Sequence, residues 1–289
     1  MLTYLRANPD TRRGYAAQAL APFFGGMMIS QINATVMRRY KTKRKVSPGT
    51  QARELAVFSA AIAWCNKELD WRLNNPVHGR MPPQTPHRLR WITNQQAADL
   101  LDAVGVRVPY LRDFITLGLN TGMRMGEMLK LEWSRVDLNE GVIYLSPKDQ
   151  KDRRYGSVPI NSQAREALLS RARFRADNCP DAKSVFVRRD GSRIASVKKG
   201  FAAACKKAGL ENFHIHDLRH TCAAWLVQAG VPLRTVAEIL RHKDIRTTMR
   251  YAHLAPDDAR SGVAALEQAM QRSKNVVTDG KKVAKSVNN

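Results

Sequence analysis

The sequence has few of the features that mark several large classes of protein. Its cysteines are scattered, with neither the paired spacing of a zinc site nor the density of a disulfide framework: Cys65, Cys179, Cys205 and Cys222. We therefore expect reduced thiols in a cytoplasmic protein. No stretch approaches the roughly 20 apolar residues of a membrane-spanning helix, so a membrane is not an expected partner.

Two further signals are missing. The opening stretch, MLTYLRANPDTRR, lacks the apolar core of a signal peptide. No glycine-rich loop is followed by Lys and Ser or Thr, so nothing indicates nucleotide hydrolysis.

Acidic residues are scarce relative to basic ones. The 289 residues include 48 Lys and Arg against 25 Asp and Glu, which gives a net charge of +23. So large an excess predicts a polyanionic partner, and nucleic acid is the best candidate.

The first part of the chain has the pattern of a helical domain, which we place at residues 1–75. Apolar residues recur every three or four positions between 47 and 69, the spacing of an amphipathic helix: Leu55, Phe58, Ile62, Cys65 and Leu69. Ser47-Pro48 is a fair start signal for this helix. Further helices are indicated around residues 15–24 and 34–40.

The segment RRYKTKRK, residues 38–45, is basic at six of its eight positions. It is either a solvated loop or a surface that contacts phosphates, and the overall charge favours phosphate contact. The DNA-binding candidates are Arg38, Arg39, Lys41, Lys43, Arg44 and Lys45.

Residues 76–90 are predicted to form a basic linker, because prolines cluster there without apolar periodicity. A basic linker between basic domains would suit a clamp that closes around DNA.

A second domain is expected at residues 91–273, followed by a basic tail at 274–289. Thr93 is a candidate helix cap, and an apolar helix should run from 109 to 119. Residues 141–160 have the pattern of two short strands around a charged turn, and 184–194 is a candidate for another strand. Helices are then predicted at 196–208, 216–229, 232–240 and 247–254. The chain is therefore expected to be mainly α with a small β-sheet.

Four stretches of this second domain contain residues suited to phosphate chemistry. They are TGMRMGE, SPKDQKDRR, HDLRHT and LRHKDIRTTMRYAHL. Each is weak by itself, since most helical arginines are surface residues and most tyrosines pack in cores. In chain order the stretches contribute Arg124, Lys148, His216, Arg219, His242 and Tyr251.

In this order and spacing the residues resemble the tyrosine recombinase family, the phage-type integrases, whose pattern is Arg, Lys, His-x-x-Arg, His, Tyr. The resemblance covers about residues 91–255, and the first domain looks like the family's helical core-binding domain. It implies an α+β catalytic domain and a C-shaped clamp of two domains. It also implies chemistry that needs no metal, no ATP and no other cofactor.

The resemblance assigns a role to each residue. Arg124 and Arg219 would hold the non-bridging oxygens of a phosphodiester through forked, charge-assisted bonds. Tyr251 would attack the phosphorus and form a link to the DNA 3′ end. Lys148 would protonate the departing 5′ oxygen, with Lys151 as the fallback.

The histidines of the pattern have supporting roles. His216 and His242 would hydrogen-bond the phosphate, and His216 is also a candidate to assist deprotonation of Tyr251. Asp217 and His220 are expected to face elsewhere, as helix-start and packing groups.

The function implied is site-specific recombination through a 3′-phosphotyrosyl intermediate, which would integrate or excise a phage or another mobile element. The expected partners are double-stranded DNA and a homotetramer on two recombination sites, with accessory DNA-bending proteins as candidates. The expected location is the cytoplasm or nucleoid of a host cell. The alternatives are relaxation of DNA like a type IB topoisomerase and an idle DNA-binding protein.

The sequence departs from the family's pattern before the second histidine. The family usually has Leu-Gly-His, whereas this chain has Leu240-Arg241-His242. If that position is a left-handed helix cap, Arg costs about 1 kcal/mol or somewhat more relative to Gly. Glu127 either braces an active-site arginine or is an ordinary surface acid. The turn after Lys148 looks long, and no separate arm-binding domain is expected before residue 1.

Overall fold

The computed structural model describes residues 1–83, 88–105, 108–147 and 155–256, together with positions 263, 266 and 267. The chain divides into two compact units, Met1–Arg88 and Leu89–Asn289. The division falls inside the segment predicted as the linker. The domain bounds and the clamp remain predictions.

The described part of the first unit contains helices whose apolar sides share one core. They are α1 (Leu2–Ala7), α2 (Thr11–Phe24), α3 (Ala34–Lys43) and α4 (Pro48–Glu68). The predicted stripe on α4 faces this core, where Leu55, Phe58 and Ile62 are buried. The Ser47 side chain accepts a hydrogen bond from the Thr50 N–H and begins the helix, as its position before Pro48 indicates.

One residue of the predicted linker packs into a core, although a linker was expected to lack core residues. Val77 is buried and belongs to the core of the first unit. The prolines around it prevent a helix but do not prevent a single apolar side chain from packing.

The second unit is built on helices that surround a larger core. They are α5 (Asn94–Val104), α6 (Pro109–Thr121), α7 (Met125–Leu129), α8 (Ser162–Asn178), α9 (Lys198–Lys207), α10 (Ile215–Gln228), α11 (Leu233–Ile239) and α12 (Arg246–Met249). The apolar helix α6 packs against α5, α8 and α10. Buried side chains of α6 such as Phe114, Ile115 and Leu117 form the centre of the core.

A three-stranded antiparallel sheet lies in the same unit, in the order β1 (Val136–Asp137), β2 (Val142–Leu145), β3 (Gly156–Pro159). Ile143 faces Val158 across the ladder, and both are buried. Mostly helical structure with a small sheet confirms the predicted fold class.

The prediction of a strand at 184–194 was wrong. This segment forms only isolated bridges, such as Val187 with Arg193, and β1 completes the sheet instead. The cause is a turn at Gly191, whose φ of +78° reverses the chain before a ladder can extend.

A smaller apolar cluster in the second unit lies where α10 meets the chain on either side of α12. It contains Cys222, Val227, Val236, Leu240 and Tyr251. In the described part of the chain, no helix is both long and apolar enough to span a bilayer.

Candidate active site

Among the predicted site residues that the structure describes, Arg219 is the most buried cation. It lies on α10 with 3% of its surface exposed. Its Nη1 donates to the Gly122 carbonyl oxygen at 2.6 Å, and its Nη2 donates to the Leu240 carbonyl oxygen. The guanidinium therefore ties the end of α6 to the end of α11. Gly122 permits this approach, because its φ is +58° and a side chain there would clash with Leu240.

Arg124 lies at the start of α7, three residues before Glu127. The Arg124 Nη1 contacts Glu127 Oε1 at 2.6 Å, and the Arg124 N–H donates to Glu127 Oε2 at 2.9 Å. Glu127 is 3% exposed. The burial and contacts of Glu127 fit the interpretation in which it braces Arg124 and not that of an ordinary surface acid, while the active-site role of Arg124 stays a prediction.

Glu127 has a second cationic partner that the sequence did not suggest. Arg241 Nη2 lies 2.9 Å from Glu127 Oε2, and the Arg241 side chain is 9% exposed. One buried carboxylate thus holds two arginines that are 117 residues apart along the chain.

Arg241 has the left-handed conformation that was considered for this position, where the family usually has glycine. Its φ is +57°, a conformation that costs an L-residue about 1 kcal/mol or more. The same residue makes the ion pair with Glu127, which a glycine could not make. Arg241 therefore replaces the conformational freedom of glycine with a side-chain contact.

Positive charge exceeds negative charge at this site. Burial, followed by the charges of Arg124 and Arg241, lowers the pKa of Arg219 to about 9. Burial would raise the pKa of Glu127, but Arg241 and Arg124 outweigh it, so the net shift is downward. Three cations surround one carboxylate at neutral pH, an arrangement that favours an added anion.

The two predicted histidines are held neutral by the same surroundings. Burial, then Arg219 and Arg124, lowers the pKa of His242 to about 3. Burial and Arg219 also lower the pKa of His216. His242 Nδ1 lies 2.8 Å from Thr248 Oγ1, which orients the ring. Neutral imidazoles at such positions can hydrogen-bond a phosphate without adding charge.

Tyr251 lies just after α12 with 1% of its surface exposed. Burial raises the pKa of its hydroxyl to about 12, against the opposing charges of Arg250 and Arg219. The hydroxyl is hydrogen-bonded to His220 Nδ1. The expectation that His220 faces elsewhere was therefore wrong, whereas Asp217 does cap the helix start by accepting the His214 N–H at 2.7 Å.

His220 was missed although a signal for it exists. It follows His216 by four residues on α10, so the two rings share a helix face. They pack edge to face with centroids 4.9 Å apart. The structure places Tyr251 beside the second ring of this pair, which the family pattern does not include.

The structure brings five predicted residues together: Arg124, His216, Arg219, His242 and Tyr251. Lys148 and the fallback Lys151 lie outside the described residues. A pocket of about 520 Å³ opens beside the group, lined by Arg124, His216, Lys198 and Phe201 among others. Across the described ranges, no cluster of three or more His, Cys, Asp or Glu could hold a metal.

The basic segment on and after α3 belongs to the first unit. Arg38, Arg39, Lys43 and Lys45 are exposed, and Lys41 is half-buried. Arg44 differs, because its Nη2 contacts the buried carboxylate of Glu54 at 2.7 Å. Arg44 thus serves the fold of this unit, and the phosphate role of the segment remains a prediction.

Comparison with known proteins gives a consistent result. The sequence pattern of the phage integrase family matches residues 90–258. The chain is 31% identical over 215 residues to the integrase of Salmonella phage P22, covering 72% of this chain and 54% of that protein. It is 33% identical over 223 residues to tyrosine recombinase XerC of Pseudomonas syringae pv. syringae, covering 74% of this chain and 73% of that one.

Solved structures share the fold at lower identity. The Tn1549 transposon integrase in complex with a circular intermediate DNA has a TM-score of 0.74 at 18% identity, covering 92% of this chain and 97% of that one. A lambda integrase dimer bound to a core site has a TM-score of 0.70 at 17% identity, covering 90% and 96%. The chain spans about half the length of the phage P22 integrase that it matches.

Proposed function

The chain belongs to the phage integrase family of tyrosine recombinases, and from this premise we propose that it cuts and rejoins DNA at specific sites through Tyr251. The observation that carries the proposal is that a candidate nucleophile and two candidate phosphate ligands lie in one group. A buried tyrosine hydroxyl lies in a group with two arginines, Arg124 and Arg219, that are held in place by protein contacts.

The arginines match the charge that the reaction creates. Attack on a phosphodiester places negative charge on its non-bridging oxygens, and positioned guanidiniums stabilise that charge. Arg219 and Arg124 are fixed before DNA binds, by two carbonyl oxygens and by Glu127 respectively. Little reorganisation is then needed when the charge develops.

The covalent step proposed is a transesterification. The hydroxyl of Tyr251 gives its proton to a neighbouring histidine as its oxygen forms a bond to phosphorus, and the bond from phosphorus to the DNA 5′ oxygen breaks. Lys148 supplies the proton that the leaving oxygen needs. His216 and His242 hydrogen-bond the phosphate as neutral rings. Rejoining is the reverse step, in which a DNA 5′ hydroxyl displaces the tyrosine.

Double-stranded DNA is the proposed partner, in line with the DNA complexes of the Tn1549 and lambda integrases. A homotetramer on two recombination sites, with accessory DNA-bending proteins, is the proposed assembly. The proposed setting is the host cytoplasm or nucleoid, where DNA is accessible. The substrate would be a phage or another mobile element that is integrated or excised.

A nicked DNA substrate that carries a candidate attachment site tests the nucleophile. The nick lets the short cleaved strand diffuse away, so the covalent complex accumulates on a denaturing gel. We expect a covalent band with the wild-type protein and none with Tyr251→Phe, which lacks only the attacking oxygen. A second variant, Tyr15→Phe, makes the same change at an exposed tyrosine and should leave the band intact.

Three other outcomes would each contradict one part of the proposal. A band that persists in Tyr251→Phe would mean that another residue attacks. Binding without any band, across several sites, would indicate an idle DNA-binding protein. Relaxation of supercoiled plasmids that lack the site would indicate a topoisomerase.

A further inference from the structure

The hydroxyl that attacks in the proposed reaction is in contact with one particular base. Tyr251 Oη is hydrogen-bonded to Nδ1 of His220, and the two ring centroids lie 6.0 Å apart with an interplanar angle of 45°. A phenol donates well to an unprotonated imidazole nitrogen. In the tautomer that accepts this hydrogen bond, the proton of His220 lies on Nε2 and Nδ1 faces the hydroxyl of Tyr251 as the acceptor.

The surrounding residues fix this contact from several elements. His220 lies on α10 directly after Arg219, whose guanidinium is anchored at both ends. The His216 ring packs edge to face on the His220 ring from the same helix. Tyr251 is held in the cluster that includes Cys222 and Leu240.

The need for a base follows from the environment of the hydroxyl. Burial raises the pKa of Tyr251 to about 12, so at neutral pH very little phenolate exists. Several charged and titratable groups lie near the contact. On α10 they are His216, Asp217, Arg219 and Cys222, and beyond α11 and α12 they are His242 and Arg250. Arg219 and Arg250 favour the phenolate once it forms, but they cannot accept the proton of the tyrosine hydroxyl.

We propose that His220 is a further catalytic residue, the general base that takes the proton of Tyr251 as the tyrosine attacks. This inference rests on the proposed function. The O–H bond of Tyr251 breaks, its proton moves to Nδ1 of His220, and the oxygen forms the bond to phosphorus. On rejoining, protonated His220 returns the proton to the departing tyrosine oxygen. His216, the base candidate from the sequence, then contributes to phosphate binding and to the orientation of His220.

The test compares single-turnover cleavage by wild-type protein, His220→Gln and His253→Gln at saturating enzyme. The DNA carries a sulfur in place of the 5′ bridging oxygen. A thiolate departs without protonation, so the rate no longer depends on the acid and reports events at the nucleophile. General-base catalysis typically contributes about 10²–10⁴-fold, so we expect His220→Gln to slow cleavage by at least about a hundredfold. His253 is exposed and lies two residues beyond Tyr251, so His253→Gln should cleave at the wild-type rate.

The pH profile separates a base from a residue that only supports packing. Without a base, the rate should follow the phenolate fraction and rise about tenfold per pH unit from pH 7 to 9, since Tyr251 titrates well above this range. The wild-type rate should be much less steep there. Lys148→Ala should be restored by the sulfur substrate, whereas His220→Gln should not.

Several results would overturn the inference. The first is cleavage by His220→Gln at the wild-type rate. The second is slow cleavage by His220→Gln with a wild-type pH profile, which would indicate a packing role. Restoration of His220→Gln by the sulfur substrate would place His220 at the leaving group. Absence of cleavage by the wild-type protein itself would instead reject the proposed function, and the role of His220 with it.

Discussion

Arg241 shows how a single residue can add both strain and stability. Its backbone is in a left-handed conformation, while its side chain reaches a buried carboxylate that also holds Arg124. Two substitutions separate these effects. Arg241→Gly removes the ion pair and the strain together, and Arg241→Ala removes the ion pair but keeps the strain.

We expect both Arg241 variants to be less stable than wild type, and Ala to be less stable than Gly by about 1 kcal/mol. Urea unfolding of the three proteins measures this order. Both variants should also cleave more slowly, because Glu127 loses one of its two anchors. Equal stability of the Gly and Ala variants would show that the conformation at position 241 relaxes when the side chain is removed.

At the scale of the helix, α3 and the residue that follows it carry basic side chains of two kinds. Arg39 is exposed, whereas Arg44 just after the helix is paired with Glu54. Tyr40 also donates to Glu54, at 2.6 Å, which makes this carboxylate a local anchor. Neighbouring arginines on one segment should therefore respond differently to the same substitution.

Arg39→Gln is expected to weaken DNA binding. The slope of log affinity against log salt concentration should become shallower by about one, as for one lost phosphate contact. Arg44→Gln should instead destabilise the first unit by about 1–3 kcal/mol, because it leaves a buried carboxylate short of a partner. Binding titrations at several salt concentrations, together with urea unfolding, measure both. Similar effects from the two variants would contradict this division of roles.

The helices that the sequence predicted are those with a clear apolar stripe or a start signal. The helices α4 and α6 agree with their expected ranges within a few residues. By contrast, α8 was not predicted, because alanines and arginines alternate in SQAREALLSRARFRADN without a strong apolar face. Its burial depends on α6, a partner distant in sequence.

The site was predictable where chemistry follows an ordered pattern. Arg124, His216, Arg219, His242 and Tyr251 were named because their order and spacing resemble the tyrosine recombinase pattern. The contacts of His220 and Arg241 were not predicted. A hydrogen bond between residues 31 apart and an ion pair between residues 114 apart depend on tertiary packing.

At the scale of the whole molecule, the neutral histidines predict how stability depends on pH. The folded pKa of His242 is about 3, below the ordinary value of 6.5, so the unfolded chain binds a proton that the folded chain excludes. The stability contributed by the neutral ring is complete above pH 6.5 and is lost as pH falls toward 3. The pKa of His216 is shifted in the same direction.

We expect the free energy of unfolding to fall between pH 7 and 5, with each such histidine adding at most about 1.4 kcal/mol per pH unit. Carboxylates with ordinary pKa values titrate below this range. Urea unfolding of wild type and His242→Gln at pH 7, 6 and 5 measures the slope, which should be shallower in the variant. The same slope in both proteins would show that His242 does not remain neutral in the folded state.

The burial of Tyr251 has a consequence for the lifetime of a covalent complex. Its ring is enclosed by Val227, Val236 and Leu240, and only 1% of its surface is exposed. A phosphotyrosyl bond formed there would meet little bulk water, so accidental hydrolysis would be slow. A strand held in this way would persist until a DNA hydroxyl arrives to displace the tyrosine.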